Sequence, residues 1–574
     1  MRLISGVTTR LILTTTLLAA FTACAASTEA PPAEPTASSA GVASTVETGA
    51  NPGRLVFAHP EDATKLDPAD VTDGESLLVT WHVFEGLTRY KPGTSEVEPA
   101  LATAWTTSED GLTWTFTLRE GVKFHDGEDF DANAVVWNFN RWFDPSHTAH
   151  FKEGSFEYWA DMFQGFKGDN DDAGNPKSVL KSVETVDPTT VKITLNRPNA
   201  PLLQTLAMSN FAFSSPKAVE AAGTSYGTPD GKPITAGTGP YMVEEWKPGE
   251  SIVVAAFGDY WGEPGAMPKI EFRVIPDGTA RFLSLSSGEI DGMNQVNPED
   301  IAKGKSDTNL RVVFEPANNV GYLGFNQARA PWGNLDCRLA VAHAIDKQAI
   351  VDTLHEGDAE PAAQMMPPSL WGFNTAVSDY PFDVTVAKEH LDKCLAKEKM
   401  PDKVVFYVPP IQRFYYPKPK ELGELIQAQL AAVGITTEIQ SPDWRTVYIP
   451  DVRGGKAELF LLGWGGDNGD PDNYLCKFFC GASADFNSDG KFDSPDGAKP
   501  LPPDEKLDAL LREAATLSDQ AARKAKYEEA NQMIHDLVPT VPLVHRTPPL
   551  VFLANVEGYT SSPIQTILTG VSKP

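Results

Sequence analysis

Hydrophobic and polar positions divide the chain into three unequal stretches. Leu11 to Phe21 is a mostly apolar run behind Arg2 and Arg10. It is too short to span a bilayer as a finished helix and has the layout of an export signal. Residues 25–52 are Ala, Ser, Thr, Pro, Glu and Gly with almost no large apolar side chains. Such a segment cannot bury enough surface to order itself and reads as a flexible spacer. From residue 53 onward, apolar side chains recur with the periods of regular structure. Arg54 to Phe57 alternates as a strand, and Leu66-Asp67-Pro68 predicts a turn. Trp114, Phe116 and Leu118 alternate behind Asp110-Gly111, which predicts a hairpin with a half-buried strand. Cys337 to Asp346 predicts an amphipathic helix. Leu422, Leu425, Ile426, Gln429, Leu430 and Val433 fall at helical spacing over Glu421 to Val433, and Gly434 ends that helix. Val541 to His545 predicts an apolar strand. No internal repeat is visible, and no other apolar run is long enough to cross a membrane.

Length and charge narrow the picture. Residues 53–574 are too many for one core and predict several lobes. The formal charge is −29, or −31 once Arg2 and Arg10 leave with the signal. Such acidity argues against a nucleic-acid partner. Beyond Cys24 there are four cysteines, Cys337, Cys394, Cys476 and Cys480. Outside the cytosol an even set predicts disulfides, in any of three connectivities. The closeness of Cys476 to Cys480 favours that pair together with Cys337–Cys394. No His or Cys pair lies at zinc-finger spacing.

Several strings carry a resemblance. Phe21-Thr22-Ala23-Cys24 resembles a bacterial lipobox, although Phe21 stands where leucine is usual. An ordinary signal peptide with a chance cysteine is the alternative. Lipidation of Cys24 implies a membrane anchor by acyl chains alone. Gly463-Trp464-Gly465-Gly466-Asp467-Asn468-Gly469-Asp470-Pro471-Asp472-Asn473-Tyr474 resembles the ligand-binding segment of the dipeptide-binding proteins of ABC importers. Gly121-Val122-Lys123-Phe124-His125-Asp126-Gly127, Gly237-Thr238-Gly239-Pro240-Tyr241 and Asn319 to Asn326 resemble family 5 extracellular solute-binding proteins. So do Trp81 to Leu87 and Ala344-Ile345-Asp346-Lys347. Pro367 to Asn374 resembles the dipeptide-binding branch more narrowly.

The resemblance implies a two-lobed, periplasmic-binding-protein-like α/β fold (class C, or Venus flytrap), with the ligand cleft between lobes. It implies lobe I over residues 53–312 and 547–574, and lobe II over 313–546, after a signal peptide (1–23) and a tether (24–52). The crossings are expected near Leu310 to Pro316 and near Arg546. It also implies a non-enzymatic, monomeric binding subunit on the outer face of the cell membrane. That subunit hands dipeptides to ABC permease subunits, which work with separate ATPase subunits. Longer oligopeptides, a nickel chelate, haem or an oligosaccharide are the alternative ligands.

A zwitterionic dipeptide has its termini about 6–7 Å apart when extended, and both charges need partners if buried. By resemblance Asp467 is the anion that holds the ammonium group. Pro410 to Pro417 resembles the dipeptide-binding segment that carries an arginine, which places Arg413 on the carboxylate. Phe414 replaces a proline there, and Tyr415 matches. Trp464, Gly465 and Gly466 are expected to line the backbone side, and Thr72 to contact ligand from lobe I. Taken alone, an aspartate among glycines is a turn residue and an arginine a surface charge.

Two segments point elsewhere. Asp485, Asn487, Asp489, Lys491 (through its carbonyl), Asp493 and Asp496, with Gly490, have the spacing of an EF-hand-type calcium loop. A structural Ca²⁺ is the only cofactor the sequence suggests, and a polar surface loop is the alternative. Gly223-Thr224-Ser225-Tyr226-Gly227 satisfies the hydrolase pattern G-x-S-x-G. A nucleophile elbow needs a strand before it, whereas Pro216 to Ala222 predicts a helix.

Overall fold

The computed structural model describes residues 53–152, 154–480 and 505–574. Cys24, the tether and the calcium-type loop from Asp485 to Asp496 lie outside the described residues.

Three larger sheets and a two-stranded one, Thr88–Tyr90 with Val97–Pro99, organise the described residues. The first has seven strands, in the order Leu310–Phe314, Pro549–Leu553, Gly292–Met293, Arg54–His59, Lys269–Val274, Ser251–Ala256 and Tyr241–Lys247. The second has six, in the order Ala359–Pro361, Thr540–Arg546, Asn319–Phe325, Leu459–Gly465, Val404–Tyr407 and Thr437–Gln440. A four-stranded antiparallel sheet runs Ala102–Thr107, Thr113–Leu118, Thr190–Leu195 and Leu180–Asp187.

Both large sheets are buried on two faces, which explains their near-continuous apolar strands. Leu55 and Phe57 enter one core, while Val56 and Ala58 enter another. In the second sheet, Val320 and Tyr322 pack on one side, and Leu323 and Phe325 on the other. The four-stranded sheet buries Phe116 and Leu118 under a helix-covered aromatic core that includes Trp142, Trp159 and Phe213.

The chain passes between the two large sheets twice, at residues 315–318 and at 547–548. The expected division at 312/313 falls inside the strand Leu310–Phe314. Its residues 310–314 all pair with 549–553, so the first sheet holds the chain through Phe314. The two crossings run side by side, with the Glu315 N–H donating to the Pro548 carbonyl at 3.0 Å.

Local expectations appear as regular elements. Pro419–Val433 is a helix that Gly434 closes at φ +104°, a left-handed conformation suited to glycine. Leu335–Ala344 is a helix joined to the helix Val384–Leu395 by Cys337–Cys394, whose Cα atoms lie 4.9 Å apart. Cys476 pairs with Cys480 at a Cα distance of 4.6 Å. Ser225 follows the helix Pro216–Ala222 within a 3₁₀ turn, not a strand, so it lacks the setting of a nucleophile elbow.

Candidate ligand-binding site

The strand Leu459–Gly465 ends at a loop that returns into the helix Asp472–Phe479. The loop is tied down at both ends. The Asn473 side-chain oxygen accepts from the Asp467 N–H at 2.9 Å and from the Trp464 indole N–H at 3.1 Å. Asp470 takes a bidentate grip from Arg523, at 2.7 and 2.9 Å, and both side chains are buried. Asp467 is therefore held in position before any ligand arrives.

The Asp467 carboxylate accepts from Asn473 Nδ2 at 3.1 Å on one oxygen and from the Tyr158 hydroxyl at 3.0 Å on the other. Tyr158 sits on the helix Glu157–Phe163, against the four-stranded sheet of the other lobe. Lys477 bonds Asp161 across the same cleft at 2.7 Å. Burial pushes the Asp467 carboxyl up to about 6, against the pull of Asn473, Lys477 and Tyr158. The carboxylate is thus half-buried and hydrogen-bonded, with Lys477 near it but bonded to Asp161.

It faces a cavity of about 210 Å³. Trp81, Tyr158, Met208, Asn294 and Gln565 line it together with Gly466 and Asp467, and no lysine or arginine does so among the described residues. Asn294 Oδ1 and Gln565 Oε1 are buried without a hydrogen-bond partner. An anion and two orphan acceptors around one small space suit a group that brings several N–H donors and positive charge.

The other expected residues fall around this cavity in different ways. Gly466 lines it, and its N–H donates to the Tyr474 hydroxyl at 2.7 Å. A Cβ on Gly466 would lie 2.6 Å from the Tyr474 ring, and one on Gly465 2.7 Å from the Phe414 ring. These two glycines therefore admit the protein's own rings. Trp464 does not line the cavity; its ring packs edge-on to Phe478, with centroids 5.3 Å apart.

Arg413 lies on the loop that follows the strand Val404–Tyr407, which runs parallel to Leu459–Gly465. Both loops leave the same edge of the sheet. Arg413 and Tyr416 exchange backbone hydrogen bonds at 3.0 and 2.9 Å, and Arg546 holds the Phe414 carbonyl at 2.7 Å. The Arg413 guanidinium stacks 4.7 Å from the ring centre of Trp444, and its buried Nε has no partner. Arg413, Phe414 and Tyr415 do not line the Asp467 cavity. Thr72 is exposed just before Asp73, which caps the helix Gly74–Val83. That helix lines the cavity through Gly74, Leu77, Leu78 and Trp81, while Thr72 does not.

The sequence assigns Asn473 no role and does not single out Tyr158, Asn294 or Gln565. Asn473 sits six residues from Asp467, within reach of a local reading. Tyr158 and Gln565 come from remote segments that nothing local connects. Among the described residues, no group of three or more His, Cys, Asp or Glu could hold a metal ion, and no helix is long and apolar enough to cross a membrane.

Comparison with known proteins follows the same lines. The family described as "Bacterial extracellular solute-binding proteins, family 5 Middle" matches residues 96–486. "Heme-binding protein A" of Haemophilus influenzae is 31% identical over 522 residues, covering 89% of this chain and 90% of that protein. "Dipeptide-binding protein" of Escherichia coli is 32% identical over 538 residues, covering 91% and 95%. The solved structure of the periplasmic binding protein DppA from Helicobacter pylori, in complex with peptide STSA, matches with a TM-score of 0.75 at 30% identity, covering 91% and 98%. HbpA2 from Haemophilus parasuis matches with a TM-score of 0.77 at 30% identity, covering 91% and 100%. The architecture is that of the two-lobed periplasmic binding proteins. With a family match across residues 96–486 and such relatives along about nine-tenths of its length, the chain belongs to the family 5 bacterial extracellular solute-binding proteins.

Proposed function

We propose that this protein is the extracytoplasmic ligand-binding subunit of an ABC importer and captures short peptides by their free termini. The observation that carries this reading is the half-buried Asp467 carboxylate, which faces a small cavity with two orphan acceptors and, among the described residues, no lining cation. A peptide ammonium group supplies the missing charge and three N–H donors. Arg413 is the partner for the peptide carboxylate, supported by its unpartnered Nε and its place on the neighbouring loop.

The lobes close on ligand about the paired crossings, and the closed form engages the permease. Ligand favours that form only through contacts it makes there and not in the open one. Cys24 carries the lipid anchor, and the protein acts as a monomer. A structural Ca²⁺ in the loop Asp485 to Asp496 is compatible with this role. Haem, named for one relative, fits less well, because its anionic propionates would meet Asp467 and bare acceptor oxygens.

The test is calorimetric titration after unfolding and refolding have stripped any carried-over ligand. Alanyl-alanine is compared with its N-acetylated and C-amidated forms. Binding of the free dipeptide alone, abolished in Asp467→Ala and weakened in Arg413→Ala, is the expected result. Equal binding of the blocked forms, or none, sinks the proposal.

A further inference from the structure

A second and larger cavity adjoins the first. It measures about 620 Å³, against about 210 Å³ around Asp467. Trp81, Met208 and Gln565 line both, so a single layer of side chains separates them. The wall of the larger chamber leans apolar, with the rings of Phe84, Tyr90, Tyr260 and Trp261 and the side chains of Met208 and Ile567 among its lining.

Those rings are fixed before ligand binds. The half-buried Glu85 carboxylate accepts from the Tyr260 hydroxyl at 2.8 Å, and from the Trp261 indole N–H and the Thr238 hydroxyl at 2.9 Å each. Arg119 covers the Trp261 ring, 4.0 Å from its centre. Tyr90 donates its hydroxyl to the Gln204 carbonyl at 3.0 Å and meets the Trp81 ring edge-on. Arg89 is engaged by Glu98 at 2.8 Å. The polar atoms of Tyr90, Tyr260 and Trp261 are thus engaged, while Glu263, Thr560, Ser562 and Thr569 add polar groups to the wall. Gln565 stands at the junction, and its Oε1 is buried with no partner. An acceptor at the neck and an apolar room behind it suit a peptide N–H followed by a large side chain.

We propose that this chamber is the side-chain pocket of the peptide site and selects ligands bearing a bulky apolar, above all aromatic, side chain. The proposal rests on the reading that Asp467 holds the peptide ammonium. It gives the site a side-chain preference, because rings held in advance gain contact with an apolar group without ordering costs.

Titrations of the refolded protein with alanyl-alanine, phenylalanyl-alanine and alanyl-phenylalanine test it. At least one phenylalanine peptide should bind about tenfold more tightly than alanyl-alanine, the gain expected for burying most of a phenyl ring. Ile567→Trp, which fills the chamber, should bring the ratio close to one. Thr569→Trp, from another point of the wall, should act in the same direction and guards against misfolding of the first variant. If alanyl-alanine binds and neither phenylalanine peptide is tighter, the chamber is not the pocket, although the peptide reading stands. The same follows if the advantage survives in both variants. If none of the three peptides binds, the peptide reading fails and this proposal fails with it.

Discussion

The Tyr158 hydroxyl donates to Asp467 Oδ1 at 3.0 Å, although 309 residues separate the two in the chain. One hydrogen bond thus joins the helix Glu157–Phe163 to the loop that follows Leu459–Gly465, across the cleft. The same carboxylate thus bridges the two segments and lines the candidate cavity.

Tyr158→Phe removes that link while keeping the ring. A hydrogen bond to a charged group contributes about 1.5–3 kcal/mol, toward the low end for this half-buried pair, and the ligand restores part of it. Alanyl-alanine should bind several-fold more weakly, and hydrogen exchange in Glu157–Phe163 should rise in the unliganded protein. Unchanged exchange and affinity would show that the contact does not hold the lobes.

The Asp467 carboxyl is pushed up to about 6 from 3.8 by burial. A bound ammonium favours the ionised form and lowers that value, so binding releases a proton near pH 6. Peptide affinity should fall as pH drops through about 6. Asp467→Asn should weaken binding roughly 10- to 100-fold at pH 7.5 and flatten the pH profile. Calorimetry in buffers of different ionisation enthalpy would count the proton directly.

Glu315 lies at the first crossing, and burial pushes its carboxyl up to about 7 from 4.5, against hydrogen bonds from Tyr559 and Thr566. Its folded value exceeds its unfolded value. The folded state therefore holds the extra proton between about pH 7 and 4.5, and Glu315 favours folding more as pH falls through that window. Glu315→Gln should raise the melting temperature relative to wild type more at pH 8 than at pH 5. Equal differences at both pH values would contradict this.

The buried pair of Asp470 and Arg523 fixes the loop that carries Asp467. Arg523→Ala leaves a buried carboxylate without its partner, at a cost of about 3–5 kcal/mol. Urea unfolding should register the loss. Binding should weaken even under conditions where the variant is folded, because Asp467 is no longer held in place.

Cys337–Cys394 closes a span of 57 residues, whereas Cys476–Cys480 closes one of 4. Cross-linking the longer loop restricts the unfolded chain more, by about 2–4 kcal/mol in typical cases. The double variant Cys337→Ala, Cys394→Ala should therefore lower the unfolding midpoint more than Cys476→Ala, Cys480→Ala. The opposite order would place the stabilising role in the short bridge.

The sequence by itself determined what neighbouring residues decide. Leu422, Ile426 and Leu430 lie on the buried face of Pro419–Val433, and Gly434 stops it, because a side chain three or four positions along a helix meets the same surroundings. The glycines, carboxylates and single proline between Gly466 and Asp472 marked a loop, and the family resemblance of the run Gly463 to Tyr474 drew attention to Asp467. Only the tertiary structure decided what faces Asp467. Tyr158, Asn294 and Gln565 reach one cavity through the order of strands in the first sheet and the double crossing between lobes. It also set Arg413 over Trp444, outside that cavity, and laid the Phe414 ring on Gly465. Contacts across hundreds of residues leave no period in a sequence. They arise when sheets buried on both faces fix which loops share an edge, and packing then selects the side chains that meet there.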